Sequence, residues 1–183
     1  MEFAIVAPVM GLVLLGAFDV GHTLYMRAAL QGIVQKVARD ASLETGLDTT
    51  TQSNLDAKVS NQIRALANNA TVTITRSYFH DYADATSNKF EPWTDTNANG
   101  RCDNGEPYED TNGNKQWDAT GSINANQGGA KDAVVYSVSV SYPRIFPIYN
   151  LIGGAQTTVV TAKTILRNQP YGDQADSVVR NCT

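Results

Sequence analysis

The residues best placed to do chemistry lie mid-chain, in DTNANGRCDNGE, Asp95 to Glu106. Asp95, Asn97, Asn99, Gly100, Asp103 and Glu106 fall on positions 1, 3, 5, 6, 9 and 12 of a twelve-residue calcium loop. They complete the pattern D-x-[DN]-x-[DN]-G-x5-E, and Arg101 at position 7 offers its backbone carbonyl. A calcium ion takes about six to eight oxygen ligands in flexible geometry, so carboxylate, amide and carbonyl oxygens at alternating positions suit it. Asn, Asp and Gly also populate turns that hold no ion. Carboxylates at regular offsets would repel each other in such a turn, and this favours the cation.

The loop is half of a tandem. EPWTDTNANGRCD, Glu91 to Asp103, returns 15 residues later as EPYEDTNGNKQWD, Glu106 to Asp118. In the second copy Asp110, Asn112, Asn114 and Asp118 take positions 1, 3, 5 and 9, and Gln116 corresponds to Arg101. The match is poorer: Lys115 stands where glycine is wanted and Gly121 where the closing glutamate should be. Both loops are EF-hand-like in spacing only. EPW and EPY are poor helix interiors, since the residue before proline is driven out of the helical region. The tandem resembles the short calcium loops of extracellular bacterial domains, which stand without paired helices. Its amide-rich ligand sets imply weak binding, in the extracellular range of about 10⁻⁴–10⁻³ M. One ion is expected in the first loop, and the second loop is left open. The ion's expected work is to order a long insert, from about Asp81 to Gln127, that has little apolar periodicity.

Other chemistries find little support. His22 and His80 fit no metal spacing and no nucleophile–base arrangement, although Asp19 and His22 lie three apart on one helix and His80 neighbours Asp81. The sequence contains no G-x-S-x-G, no H-E-x-x-H and no P-loop. An enzyme is not expected. A net charge of −4 and a pI near 5.0 argue against nucleic acid as a partner. Cys102 and Cys182 form no CxxC. In an oxidising compartment they are candidates for one disulfide tying the C-terminal tail to the first loop, and two free thiols are the alternative.

The elements around the insert read as α+β. The 183-residue chain divides into an N-terminal helix over 1–45 and a domain over 46–183. Phe3 to Phe18 is free of charge but interrupted by Pro8, Gly11 and Gly16, somewhat short of the roughly 20 residues a bilayer requires. Leu24, Ala28, Ile33, Val37 and Ala41 then recur at mostly four-residue steps. One long helix from about Phe3 to Leu43 is expected, apolar all round first and amphipathic after. The Thr-rich stretch Asp48 to Gln52 should break it. A second helix is expected over Asn54 to Ala67, with Leu55, Val59, Ile63 and Leu66 on one face and Ser53 or Asn54 as cap. Strands are expected at Thr71–Phe79, Ala133–Tyr142 and Thr157–Arg167. They should form an antiparallel sheet of three or four strands against the amphipathic half of the long helix. The apolar turn PRIFPIYNLIGG between the last two strands is expected to pack into the core, with a neighbour or the membrane surface as the alternative, and the tail from Tyr171 to be loosely held.

The N-terminal residues carry a resemblance. EFAIVAPVMGLVLLGAFDVGH, then LYMRAALQ and VARDA, is similar to the N-terminal motif of TadE-like proteins, pseudopilin-type minor subunits of tight-adherence (Flp-type) pili. The similarity covers about residues 2 to 45, with Glu2-Phe3-Ala4, Pro8, Gly16, Gly21 and Arg27 among its tokens. It implies a pilin-like fold, an inner-membrane anchor and a periplasmic or extracellular C-terminal domain. It also implies a precursor whose short basic leader is cut after a glycine by a prepilin peptidase. Glu2 then matches the glutamate near the mature end, which aids subunit docking. The implied partners are other pilus subunits, the inner-membrane assembly machinery and the membrane. No leader or glycine precedes Glu2 here, so Met1 is expected to stand where the family has an internal residue. Arg27, Lys36 and Arg39 follow the apolar run and none precedes it; the positive-inside bias alone would put the domain in the cytoplasm, against the calcium reading. The alternative is a membrane-tethered, calcium-dependent adhesin that never enters a pilus.

Overall fold

The computed structural model describes residues 2–43, 48–87, 89, 91–111, 113–119, 123–124, 127–146, 149, 153–169, 172–174 and 176–183, with only the backbone of residues 2, 123 and 124. Helix α1 runs over Glu2–Ala41 and α2 over Thr49–Leu66. Strand β1 (Thr71–Phe79), helix α3 (Tyr82–Ser87), and strands β2 (Pro107–Asp110), β3 (Ile123–Asn124), β4 (Ala133–Pro143), β5 (Thr157–Arg167) and β6 (Val178–Asn181) follow. The main sheet has the order β3-β1-β4-β5, and β2 pairs with β6 in a second, two-stranded sheet. All pairings are antiparallel. The chain is thus α+β, with three long strands at the places their period-two alternation marks.

The alternation decides which face is covered. Val134, Tyr136, Val138, Val140 and Tyr142 of β4 and Val160, Ala162 and Leu166 of β5 are buried. They pack with Met26, Leu30, Val34, Val37, Ala38 and Ala41 of α1 and Leu55, Val59 and Ile63 of α2 in one cluster. The face of α1 differs from the expected one: Leu24 and Ala28 are exposed and Ile33 is half-buried. At about 100° per residue, the five-residue step from Ala28 to Ile33 overshoots a full turn by roughly 140°. The 26-30-34-37-41 series, with one three-residue step, stays on one side. A smaller cluster of Phe79, Ala85, Ala133 and Val135 seats α3 on the opposite face of the sheet.

Helix α2 starts earlier than expected. Asp48 has extended geometry and its carboxylate accepts from Thr51 N, so a cap of the favoured type outweighs the low helix propensity of three threonines. A polar node joins α2 to the sheet: Arg76 of β1 pairs with Asp56, stands 4.9 Å over the Tyr136 ring, and Asp56 accepts from Tyr136 Oη at 3.2 Å. Burial, and then the nearby Asp56, push the Tyr136 phenol well above its usual range.

The first half of α1 is uncovered. It belongs to the helix, Phe3–Ala41, that is long and apolar enough to cross a membrane, and Phe3, Ile5, Val9 and Val13 are all exposed. Where the apolar run ends, Asp19 is buried and pairs with Arg144 from the connection after β4. His22, rather than facing Asp19, packs edge-on to Tyr142 at 5.5 Å. In the apolar turn Phe146 lies 6.3 Å from Phe18, while Ile145 is exposed. The described part of this turn therefore sits along α1 at the end of the apolar run, outside the main core. Pro147, Ile148, Asn150, Leu151 and Ile152 lie outside the described residues.

Candidate metal centre

The insert leaves β1 through α3 and returns at Gln127, whose side-chain Nε2 donates to the carbonyl of Ala41 at the end of α1 at 2.5 Å. Asn168 holds the Gln127 and Gly129 carbonyls at 2.6 and 2.7 Å. Its far end is closed by the tail. β6 pairs with β2, Cys182 N donates to the Glu106 carbonyl at 2.9 Å, and a disulfide joins Cys102 to Cys182 with Cα atoms 5.8 Å apart. The tail from Val178 onward is therefore held, contrary to expectation. Its polar composition hid a strand whose partner lies about 70 residues upstream.

The two repeats face each other. Trp93 and Tyr108, the same position of each repeat, form an antiparallel bridge. Thr94 N donates to the Pro107 carbonyl at 2.9 Å and Glu109 N to the Pro92 carbonyl at 2.8 Å, again equivalent pairs. Reciprocal bonds between equivalent residues describe a local twofold. Trp93 and Trp117 meet edge-on at 5.1 Å and Tyr108 is buried. The insert thus has a small aromatic core of its own.

In the first loop Asp95 Oδ1 accepts from Asn99 N at 3.2 Å and Oδ2 from Gly100 N at 2.8 Å. Asn99 Oδ1 accepts from Arg101 N at 2.8 Å. The side-chain nitrogens of Asn97 and Asn99 converge on Asp103 Oδ2 at 2.8 and 2.5 Å. These bonds favour the ionised form and hold the Asp103 carboxyl below its usual range. Glu106 is buried; its Oε1 accepts from Thr96 N and Oγ1, both at 2.8 Å, and its Oε2 from Asp103 N at 2.9 Å. The Asp103 amide, then the Thr96 hydroxyl, hold its carboxyl low.

The second loop follows the same path. Asp110 Oδ2 accepts from Lys115 N at 3.1 Å and Asn114 Oδ1 from Gln116 N at 2.7 Å. Asn114 Nδ2 donates to Asp118 Oδ2 at 2.7 Å. The left-handed residues match: Ala98 at φ +57° and Gly100 at +76° in the first loop, Gly113 at +73° and Lys115 at +67° in the second. Lys115 therefore adopts the conformation that glycine adopts more easily. Asn112 and Gly121 lie outside the described residues. Arg180 of β6 donates from Nε to Asp110 Oδ2 at 2.6 Å, a contact that no sequence spacing announces.

The described residues of each loop are thus tied together by hydrogen bonds among themselves. Among the described residues no three His, Cys, Asp or Glu side chains gather as a metal cluster. One residue the sequence reading passed over is Glu91, which is buried. Burial pushes its carboxyl up, although the Asp118 amide and the Thr111 amide and hydroxyl oppose this. Its period-15 equivalence to Glu106 was the signal available. Beyond the insert, Glu2 begins α1, and its side chain lies outside the described residues.

No curated protein and no solved structure matches the chain. A family model does match at the N-terminus: residues 1–39, which span the uncovered apolar half of α1 and most of its packed half, match the model of TadE-like protein.

Proposed function

We propose that the chain is a TadE-like minor pilin or pilus-assembly protein of a tight-adherence pilus. The first half of α1 anchors it in the inner membrane, and its α+β domain lies on the extracytoplasmic side. The observation that carries this is the coincidence of the family match over residues 1–39 with a helix half whose apolar side chains are left exposed by the described residues. Such a surface demands lipid or other apolar helices. Glu2, at the start of that helix, is the residue for docking against a neighbouring subunit, since a carboxylate in lipid is costly unless paired. The Cys102–Cys182 disulfide favours an oxidising compartment. That outweighs the bias from Arg27, Lys36 and Arg39, because Lys36 and Arg39 lie on the stretch of α1 that packs against the domain.

The insert is proposed to bind calcium through Asp95, Asn97, Asn99, Asp103 and Glu106, with the Arg101 carbonyl. The fit rests on the donor chemistry and on Gly100 in the left-handed turn that position 6 requires. The ion replaces amide-to-carboxylate hydrogen bonds as the device that holds the loop closed.

The test is fractionation in the source cell. A tagged chain should co-fractionate with pili sheared from the surface, and its precursor should be shortened by prepilin peptidase if a leader lies upstream. A chain that stays uncut and never accompanies pili would overturn the pilus reading and leave the membrane-tethered adhesin.

A further inference from the structure

We propose that Glu91 is the closing carboxylate of the second loop, and that this loop is a second calcium site. The proposal rests on the calcium reading of the first loop. By sequence the second loop has no acid where Glu106 closes the first; Gly121 stands there. The fold supplies one from the other repeat. Glu91 Oε1 accepts from Thr111 N at 2.9 Å and Thr111 Oγ1 at 3.2 Å, and Oε2 from Asp118 N at 3.1 Å. Glu91 N donates to the Asp118 carbonyl at 3.1 Å, as Glu106 N donates to the Asp103 carbonyl at 3.0 Å. Thr111 and Asp118 are the counterparts of Thr96 and Asp103. The bonds of Glu106 to Thr96 and Asp103 thus recur as bonds of Glu91 to Thr111 and Asp118. In each glutamate Oε2 accepts one of these bonds and keeps a lone pair for an ion.

A separate observation points to a ligand. Asp110, at position 1 of the second loop, has a fully buried side chain, and its Oδ1 has no hydrogen-bond partner among the described residues. Its other oxygen holds Lys115 N and Arg180. A buried carboxylate oxygen without a partner is costly, and a cation bound there removes the cost. Asp95 differs: both of its oxygens accept backbone N–H bonds. Arg180 also sets the loops apart, since it brings a positive charge to the first ligand of the second site. The second site is therefore the weaker of the two.

The test is a titration of the full-length chain in detergent with Tb3+, excited through Trp93 and Trp117, followed by displacement with Ca2+. Two ions per chain are expected, displaced at two distinct calcium concentrations. Glu91→Gln should weaken the lower-affinity ion at least tenfold and leave the other within about twofold. Asn114→Asp adds a carboxylate to the second loop and should tighten the same ion severalfold, so the proposal stays testable even if Glu91→Gln fails to fold. One ion in the wild type, unmoved by either variant, overturns this proposal and leaves the first-loop reading standing. Two ions that are both indifferent to Glu91→Gln overturn it as well. No calcium-displaceable ion at all overturns the calcium reading beneath it.

Discussion

Glu91 and Glu106 accept matching bonds from a threonine and from an aspartate amide, yet their carboxyls are shifted in opposite directions: amide bonds hold Glu106 low, and burial pushes Glu91 up. The consequences for stability have opposite signs. Glu106 and Asp103, with lowered values in the fold, contribute stability that is present above the ordinary carboxylate range and lost as pH falls through their lowered values. Glu91, with a raised value, contributes stability that is present below the ordinary glutamate value of about 4.3 and is lost as pH rises through its raised one. In metal-free protein, Glu91→Gln should therefore remove a loss of stability as pH rises above that ordinary value. Urea unfolding of wild type and variant across this window checks it. Parallel pH profiles would mean that Glu91 is not strained by its burial. Asp118, which faces Glu91, works in the same direction by like-charge repulsion.

At the scale of elements, periodicity found what periodicity can carry. Strands β1 and β5 have the bounds their alternation sets, because one face packs on the core, half-buried in β1 and mostly buried in β5, and the other does not. What failed was decided by a single side chain or by a distant partner. Asp48 moved the start of α2 by capping it. β6 is four residues of mixed polarity, stabilised by β2, Arg180 and a disulfide that no local window reveals. The candidate ligands of the first loop are contiguous in sequence, whereas Glu91 lies 19 residues before Asp110 and meets the second loop only through the fold. If the tail is an element of the insert, cutting the disulfide should destabilise the insert. Cys182→Ser should cost roughly 2–5 kcal/mol, the usual range for a bond closing a long loop, read as a shifted urea midpoint of tryptophan fluorescence. An unchanged midpoint would mean that β6 is held without the disulfide.

The whole molecule divides its labour along the chain. Half of α1 is left for lipid or neighbouring helices, and the other half serves as the spine of the domain. The Asp19–Arg144 pair sits where these two environments meet. The insert projects from the sheet as a twofold unit that carries both tryptophans of the chain, so tryptophan fluorescence reports on it alone. Sites in the millimolar range, at calcium several-fold above their dissociation constants, should each add about 1 kcal/mol. Two such sites should raise the melting midpoint of a domain this size by roughly 5 °C. The direct measurement is tryptophan-detected melting of the full-length chain in detergent, disulfide intact, in 5 mM calcium, an amount about five times the upper limit of that affinity range, and then in excess chelator. A midpoint several degrees higher with calcium, unmatched by magnesium, is the predicted result. The same midpoint with calcium and with chelator would contradict a calcium-ordered insert.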